Sequence, residues 1–99
     1  MAYSLILTDE ADQDTADAYL YYEDQLEGLG DRFLQELQHR YDQLKVNPDH
    51  YSYFSNNRKY NYRKVAINHF PYLVIYRIIN DFVVIQAVHN SNRDNKKFL

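Results

Sequence analysis

The chain has no cysteine, which excludes a disulfide framework, a thiolate nucleophile and a cysteine-based zinc site. It has no apolar run approaching the ~20 residues that a membrane-spanning helix needs. Its start, Met1-Ala-Tyr-Ser, lacks the basic and apolar regions of a secretory signal. These absences predict a cytoplasmic protein with no membrane partner. Glycine and proline are scarce, at two each in 99 residues, and no repeat, low-complexity tract or linker divides the chain. Residues 1–99 are therefore expected to form a single domain with one modest core.

Each half of the chain is also poor in charge of one sign. Residues 1–57 hold twelve Asp/Glu and three Lys/Arg, a balance of −9. Residues 58–99 hold eight Lys/Arg and two acids, a balance of +6. A chain so polarised offers a positive surface to an anionic partner although the molecule as a whole is acidic. The overall acidity weakens long-range attraction to nucleic acid.

What is present reads as an ordered series of elements. Residues 3–7 form a short strand. Thr8 is a plausible N-cap, and Asp9 and Glu10 fall where carboxylates meet the positive end of a helix dipole. Ala11, Thr15, Ala18, Tyr22 and Leu26 recur at three- and four-residue steps, which predicts a helix over 9–27. Gly28 and Gly30 break it. A second helix over 31–46 carries Phe33, Leu34, Leu37, Tyr41 and Leu44 on one stripe before Asn47-Pro48 ends it. Strands follow at 60–67, 72–79 and 82–88, the last two joined by Asn80-Asp81, residue types that tolerate the positive φ of a tight hairpin. Two helices with one apolar stripe each and a sheet with one face to cover make a two-layer α+β sandwich. Its expected core is Leu5, Leu7, Ala18, Tyr22, Leu26, Phe33, Leu37, Tyr41, Leu44, Val65, Val74, Tyr76, Ile78, Val83 and Ile85.

The most specific piece is Phe70-Pro71-Tyr72-Leu73-Val74-Ile75-Tyr76-Arg77, followed by Asp81-Phe82-Val83-Val84-Ile85, Ala87-Val88-His89 and Arg93-Asp94. In that order, behind a helical hairpin, these residues make the chain resemble the RelE/ParE superfamily of type II toxin–antitoxin toxins. The resemblance covers nearly the whole chain. It implies a β-α-α-β-β-β fold with the hairpin packed on an antiparallel sheet, the first strand beside the last and the 60–67 strand at the far edge. It implies a cognate antitoxin protein as partner, no cofactor, and one of two targets. RelE-like members cut ribosome-bound mRNA without a metal; ParE-like members inhibit DNA gyrase and need no nuclease site. A relative that binds its antitoxin without being toxic fits the same pattern.

Metal-free RNA cleavage needs an acid or base and cations around one phosphate. His89, at the end of the last strand and titrating near neutrality, suits the first task. Arg93 and Arg63 are the expected catalytic phosphate clamps, with Lys64, Arg77 and Lys59 as further phosphate contacts. Which of them share a face depends on strand register. The plainer alternatives are a His89 that caps a strand end and Arg63, Lys64 and Arg77 as a solvated or edge-guarding face. The loop Tyr51–Tyr60 interleaves aromatics with bases, which suits single-stranded nucleic acid or rings packed beneath the loop as anchors. Tyr72 and Leu73 stand where the similar nucleases carry an arginine, Phe98 lacks a hydroxyl, and three residues separate His89 from Arg93. Asp9, Glu10, Asp12, Asp14 and Asp17 lack the glycine and terminal glutamate of a calcium loop, and the four histidines show no ligand spacing; no metal is expected. An antitoxin segment is expected mainly on the positive 58–99 half, by strand addition or helix-in-groove docking.

Overall fold

The computed structural model describes residues 2–54 and 61–92. The chain runs β1 (Ser4–Leu7), α1 (Asp9–Gln25), α2 (Leu29–Val46), a 3₁₀ turn (Pro48–His50), β2 (Arg63–Ala66), β3 (Tyr72–Ile79) and β4 (Phe82–Asn90). The strands lie in the order β1-β4-β3-β2, so the first strand sits beside the last and β2 lies at the far edge, as expected. β2, β3 and β4 are antiparallel, but β1 runs parallel to β4, which makes the sheet mixed rather than wholly antiparallel. Backbone bonds outside the ladder hold β1 in that register: Ser4 N–H donates to Asp81 C=O (2.9 Å) and Thr8 N–H to Ile85 C=O (3.0 Å). No helix among the described residues is long and apolar enough to cross a membrane.

The helical hairpin is built on a carboxylate. The chain leaves α1 at Leu26, which is extended (φ −159°, ψ 125°), and turns at Gly28, whose φ of +90° suits a residue without a side chain. Gly28 cannot cap α2 with a side chain, so Glu23 does so from the other helix. Its carboxylate accepts from Gly28 N–H (3.0 and 3.1 Å) and from Gly30 N–H (2.9 Å), satisfying donors that a helix start leaves open. Gly30 is not a breaker. It lies inside α2 where the helices meet, and a Cβ there would stand 2.8 Å from the Tyr19 carbonyl and ring. This early exit from α1 also corrects the expected core: Leu26 is 63 % exposed, because it is already extended and no longer on the helix stripe. Leu34, expected on the α2 stripe, is also exposed.

The rest of the core follows the periodicity. Ala11, Ala18 and Tyr22 from α1 and Phe33, Leu37, Tyr41 and Leu44 from α2 meet Val65, Ile67, Tyr72, Val74, Tyr76, Val83, Ile85 and Val88 from the sheet side. Leu5, Leu7 and Ile78 pack against them half-buried. At its centre Phe33 stacks with Tyr22 (5.6 Å) and meets Phe70 and Tyr72 edge-on (5.3 and 5.1 Å), contacts that add about 0.5–1.5 kcal/mol each beyond their buried area. The Asn80-Asp81 hairpin forms as expected, with Asn80 alone taking positive φ (52°).

One irregularity positions the far end of the sheet. Ile75 pairs with Ala87, but Tyr76 pairs with Ile85, so Gln86 is an extra, bulged residue in β4. Strict alternation from Val83 and Ile85 would have turned residues 87 and 89 toward the helices. The bulge instead places Val88 in the core and sends Ala87 and His89 to the opposite face. The backbone groups at the bulge are satisfied from α1: Thr8 Oγ1 donates to Gln86 C=O (2.9 Å), and Val88 N–H donates to the Asp14 carboxylate (3.0 Å). The same Thr8 oxygen caps α1 by accepting from Ala11 N–H (3.1 Å).

Candidate functional site

Cross-strand pairing assigns the sequence-predicted residues to faces. Lys64 pairs with Ile75, Arg77 with Val84, and Leu73 with His89, so Lys64, Arg77 and His89 share the face turned away from the helices. Arg63 pairs with Tyr76, a core residue, and so lies on the helix side. Lys59 and Arg93, the other two expected site residues, lie outside the described residues, as does Phe98.

Arg63 is engaged by its own loop. Nη1 donates to the carbonyls of Tyr51 (2.7 Å) and Asp49 (3.3 Å), and Nη2 to the Tyr53 hydroxyl (3.1 Å). Its guanidinium carbon stands 4.2 Å from the centre of the Tyr53 ring. A planar fork with several fixed donors suits this clamp as well as it suits a phosphate. Register thus puts Arg63 on the face opposite to His89, with its donors directed at two backbone carbonyls and the Tyr53 hydroxyl.

The three residues that do share a face are spread along it. From Leu73, opposite His89, to Arg77 is four residues of β3, or about 13 Å at the usual strand rise. Between them lies an apolar cluster of Phe54, Ile75 and Ala87, with Tyr62 and Leu73 packed against it. His89 is only 9 % exposed at the strand end. Lys64 is exposed, its ammonium 6.0 Å from the Phe54 ring centre. The Arg77 guanidinium carbon is 5.7 Å from the Tyr62 ring centre, and its buried Nε has no hydrogen-bond partner. Of the two readings of the 51–60 loop, the described part supports the anchoring one, because Phe54 is buried in this cluster. Of the sequence-predicted residues that the structure describes, then, Arg63 lies on the opposite face from His89, and Arg77 lies well along the strand from it.

What sequence reasoning missed is apolar. Ile6, Ile79 and Phe82 stand exposed on the face away from the helices. The signal was available: apart from Arg77, β3 and β4 are apolar at both parities over Leu73–Ile79 and Phe82–Ile85, although helices cover only one face.

The topology and the paired helices define a two-layer α+β fold of order β-α-α-β-β-β, and comparison with known proteins places it. The family model described as ParE toxin of type II toxin-antitoxin system, parDE, matches residues 5–95. The chain belongs to that family. A solved structure titled "Chromosomal ParDE TA system from P. aeruginosa" superposes with a TM-score of 0.76 at 16 % identity, covering 90 % of this chain and 96 % of that one. No curated protein matches the sequence.

Proposed function

We infer that this chain is a toxin that acts by surface contact on a protein target, with DNA gyrase as that target, and that a cognate antitoxin neutralises it. Family membership supports the toxin class. The observation that carries the choice of mechanism is the scatter of those expected nuclease groups that lie among the described residues. Arg63 is on the helix side, His89 is nearly buried, and Arg77 is about 13 Å along the strand from His89's partner. Metal-free phosphodiester cleavage requires such groups to meet within hydrogen-bond reach of one phosphate. Inhibition by contact requires only a surface, and a ParE-type inhibitor has no need of a convergent acid and base.

The test compares two activities of the purified chain. Added to gyrase, relaxed plasmid and ATP, it is expected to block supercoiling; added to translating ribosomes, it is expected to leave the RNA 5′ ends unchanged. Ribosome-dependent cleavage that disappears in His89→Ala and Arg93→Ala variants would overturn this reading in favour of an endoribonuclease. Loss of neither gyrase activity nor message would point to a relative that binds antitoxin without toxicity.

A further inference from the structure

The sheet ends in two edges of unlike character. At one, β2 is guarded by the chain before it. Tyr53 bridges to Arg63, Phe54 N–H donates to Tyr62 C=O (2.8 Å), and Lys64 N–H donates to Ser52 C=O (3.0 Å). At the other edge β1 pairs with β4, and among the described residues no strand lies on its outer side. Its residues, Ser4-Leu5-Ile6-Leu7, include none of the charges or prolines that blunt an exposed edge. Ser4 and Thr8 send their N–H groups inward, to the carbonyls of Asp81 and Ile85 (2.9 and 3.0 Å). By the alternation of a strand, the N–H and C=O groups of Leu5 and Leu7 therefore point outward in the plane of the sheet. The next outward N–H, that of Tyr3, is taken by the Lys45 carbonyl at the end of α2 (2.7 Å), which marks where the open edge stops. Ile6, between the two leucines, is 47 % exposed on the face away from the helices.

We propose that the β1 edge pairs with the β1 edge of a second copy of this chain, antiparallel and about a two-fold axis at Ile6. The register follows from which groups face outward. Residues opposed in an antiparallel ladder exchange both backbone bonds or neither, so Leu5 opposes Leu7 of the second copy and Leu7 opposes its Leu5. Every outward N–H of the open edge then finds a carbonyl. Setting Leu5 against Leu5 would instead oppose Leu7 to Tyr3, whose N–H is already taken. In the favoured register Ile6 opposes itself, and each exposed side chain is covered by its twin, the self-complementary contact that a two-fold axis requires. Charge supports the same occupant. The pairing carries the start of the second copy's α1, with exposed Asp9 and Glu10, toward the end of α2, where Lys45 is the cation of the last turn. Symmetry makes that contact twice. An acidic segment laid on the same edge would meet Asp9 and Glu10 with like charge. The contact is small, so the dimer is one that dissociates on dilution. It stands apart from the choice of target.

The experiment follows the full chain alone over a concentration series by sedimentation equilibrium. The unmodified chain is expected to pass from monomer to dimer as its concentration rises. Ile6→Lys sets two ammonium groups against each other at the axis and removes the apolar contact, which should weaken the dimer about ten-fold or more. Ile6→Glu should do the same. Mixed in equal amounts, the two variants should form a heterodimer at least as tight as the unmodified dimer, an outcome specific to Ile6 opposing itself. Lys45→Glu should weaken association, and Leu20→Ser, on the exposed helical face, should leave it unchanged. Hydrogen exchange of the unmodified chain gives a readout that needs no variant. The Leu5 and Leu7 amides should exchange more slowly at high concentration than at low, while the Lys64 amide at the opposite edge keeps its rate. A chain that stays monomeric up to its solubility limit overturns the proposal. So does a dimer that survives Ile6→Lys with the Leu5 and Leu7 amides exchanging at the monomer's rate, since its contact then lies elsewhere. Slowing of those two amides only when the polypeptide encoded by the adjacent reading frame is added would assign the edge to the antitoxin and equally overturn it.

Discussion

Replacing Asp14 with alanine should loosen the end of the sheet, although the residue lies in the first half of a helix. Its carboxylate accepts the Val88 N–H at 3.0 Å across 74 residues of sequence. β1 ends at Leu7, paired to Ile85, so no strand is available to receive that donor. Val88 is 2 % exposed, and water has little access to its amide. An orphaned buried donor costs about 1–3 kcal/mol, and a hydrogen bond to a charged acceptor lies toward the upper part of that range. For a domain of this size, a loss of about 2 kcal/mol lowers the melting temperature by roughly 8–16 °C. In urea it moves the midpoint by about 1 M, taking a slope of about 2 kcal/mol per molar. Asp14→Asn retains an acceptor at the same position and should lose less than half as much. Asp17→Ala, which removes only an exposed contact to Gln13, should change stability by under about 0.5 kcal/mol. Urea unfolding of the three variants, followed by circular dichroism, measures all of this. An Asp14→Ala midpoint matching that of Asp17→Ala would refute the idea that α1 holds the bulged strand in place.

Three further outcomes follow from the same geometry. Gly30→Ala should destabilise by about 1–2 kcal/mol in urea unfolding despite a helix-propensity gain of roughly 1 kcal/mol, because the Tyr19 carbonyl 2.8 Å from the new Cβ is backbone and cannot swing away. Burial raises both Tyr41 and Tyr76 well above the usual tyrosine range, with Asp12 and Asp14 adding to the effect at Tyr41 and Arg63 opposing it at Tyr76. The unfolded chain ionises these phenols near pH 10, so their contribution to stability is intact below about pH 10 and is lost as pH rises further. Tyr41→Phe should flatten that alkaline decline. At pH 7 it should be neutral or slightly stabilising, since the hydroxyl is buried with no hydrogen-bond partner, whereas Tyr76→Phe breaks the bond from its hydroxyl to the Pro48 carbonyl and should cost about 1 kcal/mol; urea midpoints at both pH values separate them. Arg63→Ala should cost about 1–2 kcal/mol and speed amide exchange at Phe54 and Lys64, whose N–H groups bond Tyr62 and Ser52 at the clamped loop; unchanged exchange would restore Arg63 to the candidate phosphate contacts.

Much of this molecule was legible in local sequence. The Thr8 cap, the stripe of Phe33, Leu37, Tyr41 and Leu44, and the Asn80-Asp81 turn each depend on neighbours within a few residues. Periodicity and turn chemistry therefore placed the helices and the β3–β4 hairpin within two or three residues. The pairing of β1 with β4 came through resemblance, not through any local signal. What tertiary structure alone decided was which way side chains face. A single bulged residue, Gln86, turns His89 from the helix side to the opposite face, and no pattern within β4 announces it, because Thr8 and Asp14 satisfy it from a distant helix. Likewise Arg63 and Lys64 are neighbours in the chain yet belong to opposite faces, since successive strand residues always do. Composition and spacing could name the cations and the histidine. Only the register, with a bulge held by contacts more than seventy residues apart, put Lys64, Arg77 and His89 on one face and Arg63 on the other.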